Sequence, residues 1–170
     1  DPFEEAETPD VSTLLDAPLT ATGRVETNTA PISYGVHFAA VAIDTETGEI
    51  DVTVFVAAQD VGFAINPTLV EGQLAGAIQH GIEFALTSAV ELSGGIPENP
   101  NLADYPVSSP HEMPDVVACE LIESNEESGP FGAKGVGTPS MPPVAPAITN
   151  AIRDAIGIRF TELPVRDEDI

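Results

Sequence analysis

The 170-residue sequence has very little positive charge. Five Lys and Arg residues stand against 28 Asp and Glu residues, which gives a formal net charge of −23. Such a surface repels phosphate backbones, so we expect no nucleic-acid partner. Repulsion between many carboxylates is screened within ~3 Å at 1 M salt. An origin in a salt-rich, halophilic cytoplasm is therefore a hypothesis that suits this acidic composition.

Cysteine and long apolar runs are also scarce. Cys119 is the single cysteine, so the chain forms no internal disulfide and cannot ligate an iron-sulfur cluster by itself. Its place in DVVACELI indicates a strand residue of the core rather than a nucleophile. No apolar run reaches the length of a membrane span and no basic-then-apolar leader is visible, so we expect a cytoplasmic protein without a membrane partner. The three histidines fit no zinc pattern, and no metal ligand is predicted.

The periodicity of the remaining sequence predicts alternating strands and helices. An apolar run at 33–43, the turn DTETG and alternation at Ile50, Val52, Val54 and Val56 predict two strands that form a hairpin. Asn66-Pro67 is a helix start signal, and a first helix is predicted to about Val90. A third strand is predicted at 115–122, a second helix at 141–157, and an optional last short strand at 159–165.

The element order is β-β-α-β-α, with an optional final β. It predicts an α+β fold: a two-layer, mixed sheet with helices on one face. Residues 1–31 show no periodicity and are predicted to be a linker or an extended arm. Residues 32–170 are predicted to be the folded domain. The proline-rich connection at 93–114 is long for an irregular segment, so it is either functional or packed along the surface.

Three glycines interrupt the first predicted helix. Gly72, Gly76 and Gly81 each cost ~1 kcal/mol relative to alanine in a helix interior. Such a cost is tolerated where another backbone or a ligand comes close. Close packing and ligand proximity stand as equal alternatives for these positions.

The stretch GPFGAKGVGTPS, at 129–140, links the third strand to the second helix. Its spacing matches neither the phosphate-binding P-loop nor the dinucleotide GxGxxG pattern. Main-chain amides and a helix N-terminus nevertheless favour an anionic or polar ligand there. On the pattern alone, a flexible surface loop with a helix cap at Thr138 or Ser140 is an equally good interpretation.

Three separated blocks together carry a family resemblance. INPTLVEGQLAGAIQHGIEFAL at 65–86, NPNLADYPVSSPHEMPDV at 99–116 and GPFGAKGVGTPSMPPVAPAITNAI at 129–152 occur in one order. They closely resemble the molybdopterin-binding large subunits of the xanthine dehydrogenase family, the molybdenum hydroxylases, which include the aerobic carbon monoxide dehydrogenases. The resemblance implies the C-terminal part of the molybdopterin-binding region of an enzyme that hydroxylates an aldehyde or N-heterocycle with water as the oxygen source.

The resemblance also implies a set of cofactor-binding residues. Gln73 matches a glutamine that hydrogen-bonds the cofactor, and a solvent-facing glutamine is the alternative. The loop that wraps the cofactor with main-chain donors corresponds to Gly132, Ala133, Lys134, Gly135, Val136 and Gly137. Lys134 would contact an anionic group, or else form a salt bridge to the acidic run ESNEES at 123–128. The molybdopterin would be shared with an upstream segment that this chain lacks.

One position departs from the family pattern. Catalytic members continue the loop with a glutamate that acts as general base, and this chain has Thr138 there. A threonine hydroxyl cannot replace a carboxylate in that role, which is typically worth ~10²–10⁴-fold in rate. Either Thr138 serves a catalytic variant, or the chain is a non-catalytic scaffold that completes the large subunit. The expected partners are the upstream large-subunit domain, iron-sulfur and flavin domains or subunits, and a small-molecule substrate.

Overall fold

The structure is a computed structural model that describes residues 21–24 and 30–170. Most of the arm predicted at 1–31 therefore lies outside the described residues, and its boundary stays a prediction. The elements are β1 (Gly35–Ile43), β2 (Ile50–Asp60), α1 (Pro67–Leu86), β3 (Leu92–Ser93), β4 (Ile96–Pro97), β5 (Val116–Ile122) and α2 (Val144–Ile156). None of the helices in these ranges is both long and apolar enough to span a bilayer.

The main sheet has three strands in the order β1-β2-β5. β1 pairs with β2 in antiparallel fashion, and β2 pairs with β5 in parallel. The parallel pair is possible because α1 provides the crossover between the two strands. The sheet is thus mixed, and the α+β prediction is confirmed.

Both helices cover the same face of the sheet. Alternate residues of β2 point toward them, except that a β-bulge between Val52 and Val54 interrupts the alternation, and the apolar stripes of α1 and α2 recur at three- and four-residue spacings. The buried core contains Val52, Phe55 and Ala57 from β2, Ile78, Ile82 and Ala85 from α1, and Val144, Ile148 and Ile152 from α2. Cys119 packs half-buried against this core, and burial raises the pKa of its thiol. This environment suits the structural role predicted for it.

Local signals explain where the helices begin and end. The Asn66 side chain accepts a hydrogen bond from the Leu69 amide at 3.2 Å, as a helix N-cap does. Gly157, at φ +81°, ends α2 in the left-handed conformation that glycine adopts without strain. The α1 prediction was too long, because the Thr87 and Ser88 amides both donate to the Glu83 carbonyl and close the helix at Leu86.

Two further boundaries differ from the predictions. β2 continues to Asp60 because its last residues pair with both β1 and β5. The optional strand at 159–165 is absent from the described elements. Pro164 has no amide hydrogen to donate, and the Val165 amide donates to the Ala85 carbonyl of α1 at 2.8 Å. This segment therefore packs on a helix instead of joining the sheet.

The connection at 93–114 is anchored to α1. The buried Glu83 carboxylate accepts hydrogen bonds from the Ser108 amide at 2.9 Å and the Ser108 hydroxyl at 2.5 Å. Gln79 adds a hydrogen bond to the Ser108 carbonyl at 3.3 Å. The short β3–β4 hairpin, which begins at Leu92, leads into this connection. The segment is thus packed along the surface, which was one of its two predicted roles.

The structure separates the helix glycines into two kinds. A Cβ added at Gly81 would overlap the Val144 side chain of α2, so this glycine allows the two helices to pack closely. A Cβ at Gly72 or Gly76 would meet nothing within 4 Å among the described residues. Close packing therefore explains Gly81, whereas ligand proximity stays a prediction for the other two.

We expect Gly81→Ala to lower the free energy of unfolding by about 1–3 kcal/mol, since the added methyl overpacks the α1–α2 contact. Gly76→Ala in the same helix is the matched control, and it should be neutral or stabilise the chain by up to about 1 kcal/mol. Urea unfolding followed by circular dichroism measures both variants. Equal effects of the two substitutions would contradict this account of the helix packing.

Candidate functional site

The glycine loop at 129–140 is attached to the end of β2. The Lys134 amide donates to the Val61 carbonyl at 2.9 Å, and the Glu126 amide donates to the Gly132 carbonyl at 2.9 Å. The loop passes so close to Gly62 that a Cβ on this residue would overlap the Gly132 carbonyl oxygen and lie 2.9 Å from the Lys134 nitrogen. Gly62 has φ +68° and Gly132 has φ +82°, which other residues adopt only with strain. Glycine is therefore required on both sides of this contact.

Side chains hold two further carbonyls of the loop. The Ser33 hydroxyl donates to the Gly135 carbonyl at 3.1 Å, and the buried Ser140 hydroxyl donates to the Val136 carbonyl at 2.7 Å. The loop is thus anchored from the segment before β1 and from the segment that leads into α2. Three of its main-chain carbonyls, at 132, 135 and 136, and the Lys134 amide are therefore fixed by the protein.

The amides of the same stretch are left available. Within the described residues, the main-chain N–H groups of Gly135, Val136, Gly137 and Thr138 have no acceptor. Each such donor needs water or a ligand as its partner. A Cβ at Gly135 would meet nothing within 4 Å, so the space beside these donors is open in the described structure. Four consecutive unused donors make this stretch suitable for a polar or anionic ligand.

Gln73 lies beside this stretch. It is an exposed residue of α1, and its Oε1 atom is 3.6 Å from the position of a Cβ built on Gly137. Thr138, also exposed, follows directly and opens the short 3-10 turn Thr138–Ser140. The fold therefore brings Gln73 beside Gly137 and Thr138, which follow it by more than 60 positions in the sequence.

Lys134 points into the protein. Its ammonium donates to Asp60 Oδ2 at 2.7 Å and to the Ile32 carbonyl at 3.0 Å, and its side chain is only 6% exposed. Glu126, in the acidic run at 123–128, lies 3.9 Å away. The Tyr34 ring centroid lies 5.7 Å from the ammonium, within cation–π range. The salt bridge to the acidic run exists, but Asp60 is the closer carboxylate.

Asp60 is the centre of this polar network. Besides Lys134, it accepts hydrogen bonds from the Gly62 amide at 3.0 Å and the Ser124 hydroxyl at 2.8 Å. Burial alone would raise the pKa of Asp60, but these hydrogen bonds and the Lys134 charge outweigh it and lower the pKa. The stabilisation is therefore present above the ordinary pKa and is lost as the pH falls through the lowered value.

Sequence reasoning missed Asp60 and Ser33, and it named Ser140 only as a possible helix cap, whereas Ser140 holds the Val136 carbonyl. Asp60 ends a strand and is 74 positions from Lys134, so no local spacing links the two residues. One signal was available: a chain with a single lysine has few ways to compensate a buried acid. Of the predicted cofactor-binding residues, Gly132 and Ala133 lie where the loop is anchored, and Gly135, Val136 and Gly137 lie where its donors are unused.

Comparison with known proteins decides the family. A sequence model described as "Molybdopterin cofactor-binding domain" matches residues 7–114, more than half of the chain. The putative xanthine dehydrogenase molybdenum-binding subunit XdhA of Escherichia coli K12 is 32% identical over 149 residues, covering 86% of this chain and 20% of that protein. The chain belongs to the molybdopterin-binding domains of the xanthine dehydrogenase family.

Other relatives of this molybdopterin-binding domain are molybdenum oxidoreductases. The aldehyde oxidoreductase of Megalodesulfovibrio gigas is 31% identical over 137 residues, covering 81% of this chain and 15% of that protein. The crystal structure of quinoline 2-oxidoreductase from Pseudomonas putida 86 matches at TM-score 0.76 and 31% identity, covering 81% of this chain and 18% of that one. A Cu,Mo-CO dehydrogenase matches at TM-score 0.68 and 27% identity, covering 74% and 16%. The chain spans about a fifth or less of these proteins.

The described site fits a molybdopterin. A pterin edge carries both donors and acceptors. The unused amides at 135–138 supply donors, and the Gln73 amide can both donate and accept. Glycine at 135 and 137 leaves the main chain accessible. These residues would hold one side of the cofactor.

We expect Gly62→Ala to lower the free energy of unfolding by about 2–5 kcal/mol, because it combines a positive φ with overlap against the loop. Gly135→Ala adds a methyl group to open space and should change stability by less than about 1 kcal/mol. Thermal unfolding of the two variants measures the difference. A Gly62→Ala chain as stable as the Gly135→Ala chain would show that the loop does not cross β2 as described.

Proposed function

We propose that this domain forms one wall of the molybdenum cofactor site in an enzyme that hydroxylates an aldehyde, an N-heterocycle or a related small substrate with water as the oxygen source. The observation that carries the proposal is the run of unused amides at 135–138, beside Gln73, in a loop whose carbonyls at 132, 135 and 136 accept hydrogen bonds from the protein. The bound cofactor would supply the redox chemistry. This chain would bind and orient it through main-chain donors.

The isolated chain is proposed to be inactive. It corresponds to about a fifth or less of the relatives' length, and the rest of the site would come from the upstream part of the large subunit. Electrons would leave through iron-sulfur and flavin domains or subunits. One relative, from Paenarthrobacter nicotinovorans, is named "6-hydroxypseudooxynicotine dehydrogenase complex subunit gamma", so that protein is part of a complex. An assembly of this kind is the setting that we propose for this chain.

The second candidate is a scaffold domain that shapes the cofactor cavity without contributing chemistry. Thr138 favours it, because the exposed hydroxyl at the position expected for the general base has no basic character near neutral pH. Both candidates share the cofactor loop. They differ in whether a group at 138 takes part in proton transfer.

Molybdenum content tests cofactor binding. We expect about one molybdenum per complex, by elemental mass spectrometry, when this chain is produced with the remainder of its large subunit. Gly137→Ala should lower that content, because the added methyl group enters the space beside the unused amides. The protein itself tolerates the substitution, since the nearest protein atom lies 3.6 Å from the added Cβ and the φ of −69° suits alanine. Asn150→Ala, on the exposed side of α2, should leave the molybdenum content unchanged. Full loading of the other cofactors without molybdenum would contradict cofactor binding by this loop.

The role of position 138 is tested separately. We expect Thr138→Glu to raise the rate of aldehyde or N-heterocycle hydroxylation, by up to ~10²–10⁴-fold, since it supplies a carboxylate base. Thr138→Gln introduces a side chain as large as that of glutamate but without a base, so it should leave the rate unchanged. Loss of an existing activity in Thr138→Glu would instead show that the threonine serves a different reaction.

The sheet carries a surface for the proposed upstream partner. We define the open face as Val36, Phe38 and Ala40 of β1, Val54, Val56 and Ala58 of β2, and Val116, Ala118, Glu120 and Ile122 of β5, the residues that alternate with those facing the helices. Val36, Phe38, Val116 and Ile122 are each more than half exposed. A soluble monomer rarely exposes a patch of this kind. The remainder of the large subunit is the occupant that we propose.

The isolated chain should therefore self-associate and bind a hydrophobic dye. Phe38→Lys, in the β1 part of the open face, should reduce both effects, whereas Phe131→Lys on the glycine loop is the matched control at a residue that is also exposed. Analytical ultracentrifugation in concentrated KCl measures the association. A strictly monomeric chain without dye binding would contradict the proposed partner surface.

A further inference from the structure

We propose that Lys134 and Asp60 form a positioning pair: the pair holds the glycine loop in place for the cofactor, and Lys134 itself does not contact the cofactor. This inference reassigns the lysine that the resemblance placed among the binding residues. Only the measurement of molybdenum retention depends on the proposed function. The effect of the pair on the loop can be measured without any ligand.

The Lys134 ammonium already has two hydrogen-bond acceptors within the protein. It donates to Asp60 Oδ2 and the Ile32 carbonyl at 2.7 and 3.0 Å, and its side chain is almost fully buried. To reach a ligand, Lys134 would have to leave Asp60, whose own side chain is 11% exposed. Leaving a buried carboxylate unpaired is strongly unfavourable. The geometry therefore opposes direct contact.

The surroundings of Lys134 carry more negative than positive charge. Asp60 and Glu126 both lie within 4 Å of the single ammonium. Hydrogen bonds from Ser128 lower the pKa of Glu126, and the pKa of Asp60 is lowered by its own hydrogen bonds, so both carboxylates are ionised at neutral pH. The group of three carries a net charge of −1. It would repel an anionic part of a cofactor and cannot serve as its binding site.

The pair connects the glycine loop to the end of β2. Lys134 binds the end of β2 twice: its ammonium contacts Asp60, and its amide donates to the Val61 carbonyl at 2.9 Å. The unused amides begin at the next residue, Gly135. A side chain and a main chain fixed to the same strand leave Lys134 little freedom to rotate. The position of the donors at 135–138 therefore depends on this pair.

The test compares Lys134→Met with Asp60→Asn in the assembled protein. For a positioning pair, both substitutions should speed hydrogen exchange of the hydrogen-bonded loop amides of Gly132, Ala133 and Lys134, on the order of tenfold or more, because each breaks a buried ion pair. Both should also accelerate loss of molybdenum on dialysis. The double variant Lys134→Met/Asp60→Leu removes both charges of the buried pair, so it should be no worse than the worse single variant.

A control separates loop positioning from general stability. Ile152→Ala removes fully buried core packing in α2 and should destabilise the fold by an amount comparable to loss of the pair. Well below its unfolding temperature, it should leave exchange of the loop peptide and retention of molybdenum unchanged. If Ile152→Ala reproduced both effects, the pair would have only a general structural role and the inference would fail.

Two other results would overturn the proposal. If Asp60→Asn retained molybdenum while Lys134→Met lost it, the lysine would contact the cofactor directly. If loop exchange were unchanged in both variants, the pair would not position the loop. Absence of molybdenum from the wild-type complex would count against the proposed function alone, since the exchange measurement still decides whether the pair holds the loop.

Discussion

The structure depends on one buried ion pair at the end of its central strand. In a chain with net charge −23, its single lysine is buried against Asp60 instead of lying on the surface. Asp60 also binds the Gly62 amide and Ser124, so one carboxylate connects β2, the segment after β5 and the glycine loop. The desolvation of both charges is offset because nearly every polar atom of the pair has a hydrogen-bond partner.

The one-sided layering leaves one face of the sheet without a covering layer in the described structure. Both helices pack on one face of a three-stranded sheet, which buries the core around Phe55 and Ile148. The other face is apolar and uncovered in the described structure, and the unused amides of the loop need partners as well. An apolar face is costly to leave in water, and the free donors can be satisfied by water or by a ligand. The two features are consistent with a domain that completes a larger molybdenum-binding subunit.

Features set by local sequence could be predicted, and features set by distant contacts could not. The Asn66-Pro67 start of α1 and the four-residue spacing of Ile148 and Ile152 in α2 follow from nearby residues. The length of β2 depends on pairing with two other strands, and the absence of a strand at 159–165 depends on packing against α1. Resemblance correctly indicated the family, and the cofactor role of the loop at 129–140 stays a prediction. The burial of Lys134 requires Asp60, which only the fold brings near.

The most direct test of the account is a structure of the assembled protein with its cofactor bound. The account predicts main-chain nitrogens of residues 135–138 within about 3 Å of cofactor atoms. It also predicts that the Lys134 ammonium still contacts Asp60 and not the cofactor. A glycine loop without ordered density beside a bound cofactor, or a Lys134 ammonium bonded to the cofactor, would contradict it.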